Sequence, residues 1–174
     1  MNLLSTKFVT DNLTGYPLEV RKHKSSNLNT IPIIFKLFAL NKIPLLSGTC
    51  ISNSNDLALF YNAILNNDKW ISNKTKNKIL KSHVKGIDYN DKMRLVKLGL
   101  GIRFDGEIYY QRGSDVSEMS FGHTGLVSSI GWASLEKNIS VSILNNLLLS
   151  SGLNRYRLNV LSSAIKKDLN TMEI

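Results

Sequence analysis

The residues best suited to chemistry in this chain gather at Phe121-Gly122-His123-Thr124-Gly125. An imidazole, which changes charge near neutral pH, stands beside a hydroxyl, and glycines on both sides let a ligand or a second backbone come close. Read alone, the tripeptide His-Thr-Gly favours a histidine that serves the structure, so its surroundings must decide. Other reactive groups are few. Cys50 is the only cysteine, which excludes an internal disulfide and a cysteine-based zinc site within one chain. As a thiol partner for His123 it is a poor candidate, because it leads into a helix and fits as a small buried residue. His23 and His83 sit among lysines and are expected to face solvent. Three scattered histidines with no carboxylate at ligand spacing do not make a metal site, and no cofactor is expected.

Several elements must position the central motif. The stretch from Leu126 to Asn146 reads as a β-hairpin. Strands at Ser128 to Leu135 and Ile139 to Leu144 flank Glu136-Lys137-Asn138, and Ile139, Val141 and Ile143 alternate with smaller or polar residues. Before the motif, Leu100 to Phe104 and Glu107 to Gln111 flank Asp105-Gly106, a dipeptide preferred in tight hairpin turns. Leu57, Phe60, Tyr61, Ile64 and Leu65 form one apolar helical face, with Ser54 as N-cap and Asp56 in the first turn. A second helix is expected over Asn73 to Val84, with Ile79, Leu80 and Val84 inward. A last one, Asn154 to Leu169, would turn Tyr156, Val160, Leu161, Ala164 and Ile165 to one side. A short strand fits Lys7 to Thr10, and residues 31–47, between Pro32 and Pro44, read as a buried loop or short helix. Hairpins followed by a packed helix predict an α+β fold with an antiparallel sheet.

The 174 residues are 43% hydrophobic and 20% charged, an ordinary globular balance. No linker or repeat divides them, so residues 1–174 are read as a single domain. A net charge of +9, from 22 Lys and Arg against 13 Asp and Glu, permits contact with nucleic acid or an anionic surface. The lysines from Lys69 to Lys85 are where such binding would occur. A solvated helix face is the preferred reading of them, and Trp70 is the single aromatic residue there, poor for a single-strand binder. Nucleic acid is therefore not an expected partner. The N-terminal residues lack the pattern of a signal peptide, and the apolar runs are too short to span a bilayer.

Taken in order, these pieces resemble the C-terminal part of the β-lactamase-related serine hydrolases: class C β-lactamases, penicillin-binding D-alanyl-D-alanine peptidases and related esterases. Phe121 to Gly125 matches the common Phe-Gly-His-Thr-Gly form, and Val127 to Asn146 has the layout of the two strands that follow it. Gly48 to Phe60 resembles Gly-x-x-Ser-x-x-x-Asp-Leu-Ala-x-Phe. Ile71-Ser72-Asn73-Lys74-Thr75 resembles the Leu-Ser-Pro-Glu-Thr helix start, and Leu98-Gly99-Leu100-Gly101 the Gly-Leu-Gly before the hairpin. Met1 to Phe8 is similar to Leu-Gly-Met-x-x-Thr-x-Phe.

The resemblance implies acyl transfer through serine, which needs a nucleophile, a neighbouring base and an oxyanion hole. It assigns His123, Thr124 and Gly125 to substrate binding and the Leu126 amide to the oxyanion hole. The family's Ser-x-x-Lys and Tyr-x-Asn elements precede the strand motif, and this chain is expected to begin after both, making it a partial domain. Ser82/Lys85, Ser134/Lys137 and Ser163/Lys166 have the right spacing and the wrong context, Ser25-Ser26-Asn27 is a Ser-x-Asn by pattern only, and Tyr-x-Asn is absent. No catalytic residue is therefore assigned within the chain. The expected partner is a small ester, amide or peptide once the N-terminal elements are supplied. The alternatives are a catalytically dead binding module of the same fold, or a basic domain for nucleic acid or anionic surfaces.

Overall fold

A computed structural model describes residues 7–8, 21–22, 50–66, 69–88, 94–104, 120–125, 129–145 and 147–171. In chain order the elements are β1 (Lys7–Phe8), β2 (Arg21–Lys22), β3 (Cys50–Ile51), α1 (Ser54–Asn66), α2 (Asn73–Ile79), β4 (Val84–Asp88), β5 (Arg94–Leu98), β6 (Arg103–Phe104), β7 (Ser120–Thr124), β8 (Ser129–Ser134), β9 (Ile139–Leu144), β10 (Leu147–Leu148) and α3 (Ser151–Thr171). Strands β4 to β9 form one antiparallel sheet in sequence order. Two small pairings stand apart from it, β1 with β3 antiparallel and β2 with β10 parallel. The α+β class and the antiparallel sheet agree with the sequence reading.

The sheet divides its residues between two cores by strand alternation. On one face Phe121 and Ala133, in register across β7 and β8, pack with Phe104 and Ile102 against Tyr61, Ile64 and Leu65 of α1. On the other, Ile130 and Trp132 of β8 join Val141 of β9 and Leu158 of α3. The faces differ in size: Gly131, Ala133, Ser140 and Ser142 are small, whereas Ile130, Trp132, Val141 and Ile143 are large. A Cβ on Gly131 would overlap the ring of Tyr61, so glycine there allows α1 to lie close to the strands.

Helix α1 has its expected apolar face, but its cap is Asn53 rather than Ser54. Asn53 Oδ1 accepts the Asp56 N–H at 2.8 Å, and the Asn53 carbonyl accepts the Leu57 N–H. Ser72 caps α2, its hydroxyl oxygen accepting the Thr75 N–H. Helix α2 is shorter than expected, ending at Ile79. Residues Val84 to Asp88 instead form an edge strand against β5, with Val84 55% exposed rather than inward. Gly86 and the flanking β-branched residues suit a strand, and the ladder to β5 outweighs the helical pattern of the lysines. A hairpin turns at Leu100-Gly101, within the stretch from Leu100 to Phe104 expected as a strand. Gly99 N–H donates to the Ile102 carbonyl, Gly101 takes φ +73°, and Arg103 and Phe104 have β5 on one side and β7 on the other. Asp105 to Gln111 and the Pro32–Pro44 stretch lie outside the described residues.

The β8–β9 hairpin is as expected: Ser134 Oγ accepts the Lys137 N–H, and Asn138 takes a left-handed φ of 51°. Helix α3 exists but is rotated. Asn154, Leu158 and Ser162 are buried, and Tyr156, Val160, Leu161 and Ala164 are exposed, so of the predicted face only Ile165 packs inward, against the core of Leu158. A guanidinium sets the rotation: Arg157 Nη2 donates to the Leu147 carbonyl at 3.1 Å and to Asn154 Oδ1 at 2.7 Å, tying the first turns of α3 to β10.

Candidate active-site strand

Strand β7 is an inner strand, between β6 and β8, and it carries the motif singled out in the sequence. Ser120, Phe121 and Gly122 are buried, His123 is exposed and Thr124 is half-buried. The strand thus anchors itself with its first half and presents its second half. Phe121, fully buried, holds the anchor through a tilted ring contact with Tyr61 at 6.2 Å between ring centres. Gly122 makes close strand approach possible, because a Cβ there would lie 2.7 Å from the Trp132 Cα.

His123 lies directly opposite Gly131. A residue without a side chain thus flanks the imidazole, and Tyr61 and Leu57 of α1 fill the space over that glycine. The first half of α1 therefore borders the histidine's side of the sheet. His123 Nδ1 is 2.8 Å from the Thr124 carbonyl oxygen. A carbonyl only accepts, so Nδ1 carries a proton, and Nε2 is the ring nitrogen left to meet a ligand. Such an imidazole can accept a hydrogen bond or a proton at Nε2, or, once protonated, hold an anion there.

Gly125 ends the strand with its N–H donated to the Ser129 carbonyl at 2.8 Å. That bond closes the loop to β8 and leaves the Gly125 amide unavailable to a substrate oxyanion. A donor must come from further along, and Leu126, to which the resemblance gives that role, lies outside the described residues. The hydroxyl of Ser129 occupies the open side of Gly125, where a Cβ would overlap it. Sequence reasoning missed this serine. A hydroxyl at the first position of the return strand, beside a glycine that cannot shield it, was the available signal.

The remaining candidates are not brought to this strand as nucleophiles. Cys50 is exposed on β3, which pairs with β1 in a separate sheet. This corrects the expectation of a buried thiol: β3 is two residues long and its one described pairing leaves the side chain open. Nearby protein still desolvates the sulfur and pushes its pKa above the ordinary value, which disfavours the thiolate. Ser82 Oγ donates to the Val84 carbonyl, and Ser134 Oγ is held by Lys137 N–H, so both serve turns. Ser163 and Lys166 lie within α3. His83 is exposed, as expected, with Nε2 2.8 Å from the Lys78 carbonyl. Among the described residues, no group of three His, Cys, Asp or Glu could hold a metal ion.

No protein-family model matches the sequence, and no curated protein does either. Solved structures do match by fold. A β-lactamase from Mycobacterium bovis aligns with TM-score 0.59 and 16% identity over 70% of this chain and 46% of its own. A penicillin-binding protein homologue from Caulobacter crescentus gives 0.58 and 16% over 74% of this chain and 35% of its own. EstA from Arthrobacter nitroguajacolicus gives 0.52 and 18% over 72% of this chain and 34% of its own. The chain therefore shares its fold with part of each of these three proteins, and it spans about a third to a half of their length.

Proposed function

We propose that residues 120–126 form the substrate-facing wall of an acyl-transfer site of the β-lactamase-related type, in a chain that holds no nucleophile for it. The observation that carries this reading is the exposed His123, at the open end of an inner antiparallel strand whose other end is buried. In this reading His123 Nε2 and the Thr124 hydroxyl hold the substrate's polar or anionic group, Gly125 gives it clearance, and the Leu126 N–H stabilises the developing oxyanion. The attacking serine and its base come from a segment bearing Ser-x-x-Lys. Residues 1–174 are then one partial domain. A binding module that never catalyses would use the same wall, and the fold likeness to a β-lactamase, a penicillin-binding protein homologue and an esterase supports both uses alike.

Two measurements test the proposal. The chain is expected to leave a chromogenic cephalosporin and a p-nitrophenyl ester unhydrolysed above background, and to escape labelling by a fluorophosphonate. Stoichiometric labelling of one serine would overturn the assignment. In amide-resolved NMR, titration with benzylpenicillin, D-alanyl-D-alanine and hexanoate is expected to shift His123, Thr124 and Gly125 with at least one probe. The shifts should disappear in His123→Ala. Saturable shifts confined to another region would place the site elsewhere.

A further inference from the structure

Two consecutive cross-strand pairs frame the open end of β7. His123 is opposite Gly131, and two residues on Gly125 meets Ser129, whose carbonyl accepts the Gly125 N–H. Alternate residues of a strand share a face, so His123, Gly125, Ser129 and Gly131 all belong to the α1 side of the sheet. Each pair holds one glycine, and the glycines are on opposite strands. The polar side chains therefore occupy one diagonal of the ladder and the bare positions the other. Diagonal neighbours stand about 7–8 Å apart, a gap that a bound polar group can bridge.

The two bare positions are filled differently. Over Gly131 the filling is carbon: a Cβ there would meet the Tyr61 ring and Leu57. Over Gly125 it is oxygen. The atom a Cβ would strike is Ser129 Oγ, while Ser129 Cβ stands back at 3.4 Å. The hydroxyl thus leans from β8 across to β7 and floors the glycine. Ser129 is half-buried, so this donor and acceptor stays within reach of a ligand. Its lateral neighbours give it no polar side chain, since Gly125 has none and Leu144, opposite it on β9, is apolar. Among the described residues, none shares a hydrogen bond with the Ser129 hydroxyl. The imidazole approaches from the other side: His123 Nδ1 is held by the Thr124 carbonyl, which tilts the ring along β7 toward Gly125.

We infer that Ser129 is a further substrate-binding residue of this wall, its hydroxyl and His123 Nε2 holding the same polar group of the acyl substrate from two sides. The inference rests on the reading of β7 as a substrate wall. It also sharpens the task of Gly125. A side chain there would cover the Ser129 oxygen, and the glycine leaves it open to the substrate.

The test is amide-resolved NMR titration of the full chain with benzylpenicillin, D-alanyl-D-alanine and hexanoate, in the wild type, Ser129→Ala and Ser129→Thr. The dissociation constant is read from the His123 and Thr124 shifts. Ser129→Ala should weaken binding about five- to tenfold, the loss of one hydrogen bond. Ser129→Thr keeps the hydroxyl on a residue suited to a strand and should stay within about twofold of the wild type. Urea unfolding of Ser129→Ala should keep the wild-type midpoint, whereas a hydroxyl that served only the fold would lower the midpoint and leave the affinity alone. Wild-type affinity in Ser129→Ala, with the His123 shifts retained, would overturn the inference and leave the wall standing. Equal weakening in Ser129→Ala and Ser129→Thr would also overturn it, because shape and not the hydroxyl would then matter. If no probe shifts His123 to Gly125 in the wild type, the wall itself is overturned, and the role of Ser129 with it.

Discussion

Gly122 and His123 are consecutive residues with opposite obligations. Gly122 faces the Trp132 side, where the neighbouring backbone is too close for a side chain, and His123 faces the α1 side, exposed beside the bare Gly131. Gly122→Ala forces β7 away from β8 at the strand that carries the candidate site, and is expected to cost about 2–3 kcal/mol in urea unfolding, the range of core overpacking. Gly131→Ala meets the Tyr61 ring, which is 5% exposed and has little room to leave; its cost should be similar. Cys50 gives a pH prediction. Its thiol is accessible, but desolvation raises its pKa, so at a given pH near neutrality less of it is thiolate than in a free cysteine. Its rate of alkylation by iodoacetamide should still be climbing at alkaline pH values where a model thiol has levelled off. A rate that levels off with the model thiol would show the sulfur to be fully hydrated.

Elements whose signals are local are legible in the sequence. The β8–β9 hairpin, its Glu136-Lys137-Asn138 turn and the apolar face of α1 follow from alternation and from i, i+3, i+4 spacing, and all are present. What was not legible depended on distant partners. The β4 strand looked like the end of a lysine helix until the ladder to β5 claimed it. The rotation of α3 rests on a hydrogen bond from Arg157 to the carbonyl of Leu147, which no hydrophobic pattern records. Of the candidate site, the type and position of His123 were legible, whereas Ser129 over Gly125 and Tyr61 over Gly131 are consequences of packing. Even the cap of α1 moved by one residue, and that shift can be measured. Asn53→Ala should lose about 1 kcal/mol of stability, the typical value of an N-cap, while Ser54→Ala should lose only a few tenths. The opposite order would return the cap to Ser54.

At the scale of the molecule, several large apolar side chains among the described residues stand outside the cores. The outer side of α3 exposes Leu153, Tyr156, Val160 and Leu161, and among the described residues β4 and β9 each have a strand on one side only. Both features promote self-association. Static light scattering is expected to rise with concentration, and Tyr156→Lys with Val160→Lys should reduce it; a monomeric, cooperatively melting wild type would remove α3 as a cause. The contrast between the two faces of the sheet acts against a different error. Because small residues line one face of β8 and β9 and bulky ones the other, the strands have only one register that satisfies both helices. A slip of one residue would drive Trp132 toward Tyr61 and leave a void beneath Leu158. Misregistered chains are thus penalised from both sides at once. The sheet proofreads its own assembly, and the orientation of His123 is fixed as a by-product of that check.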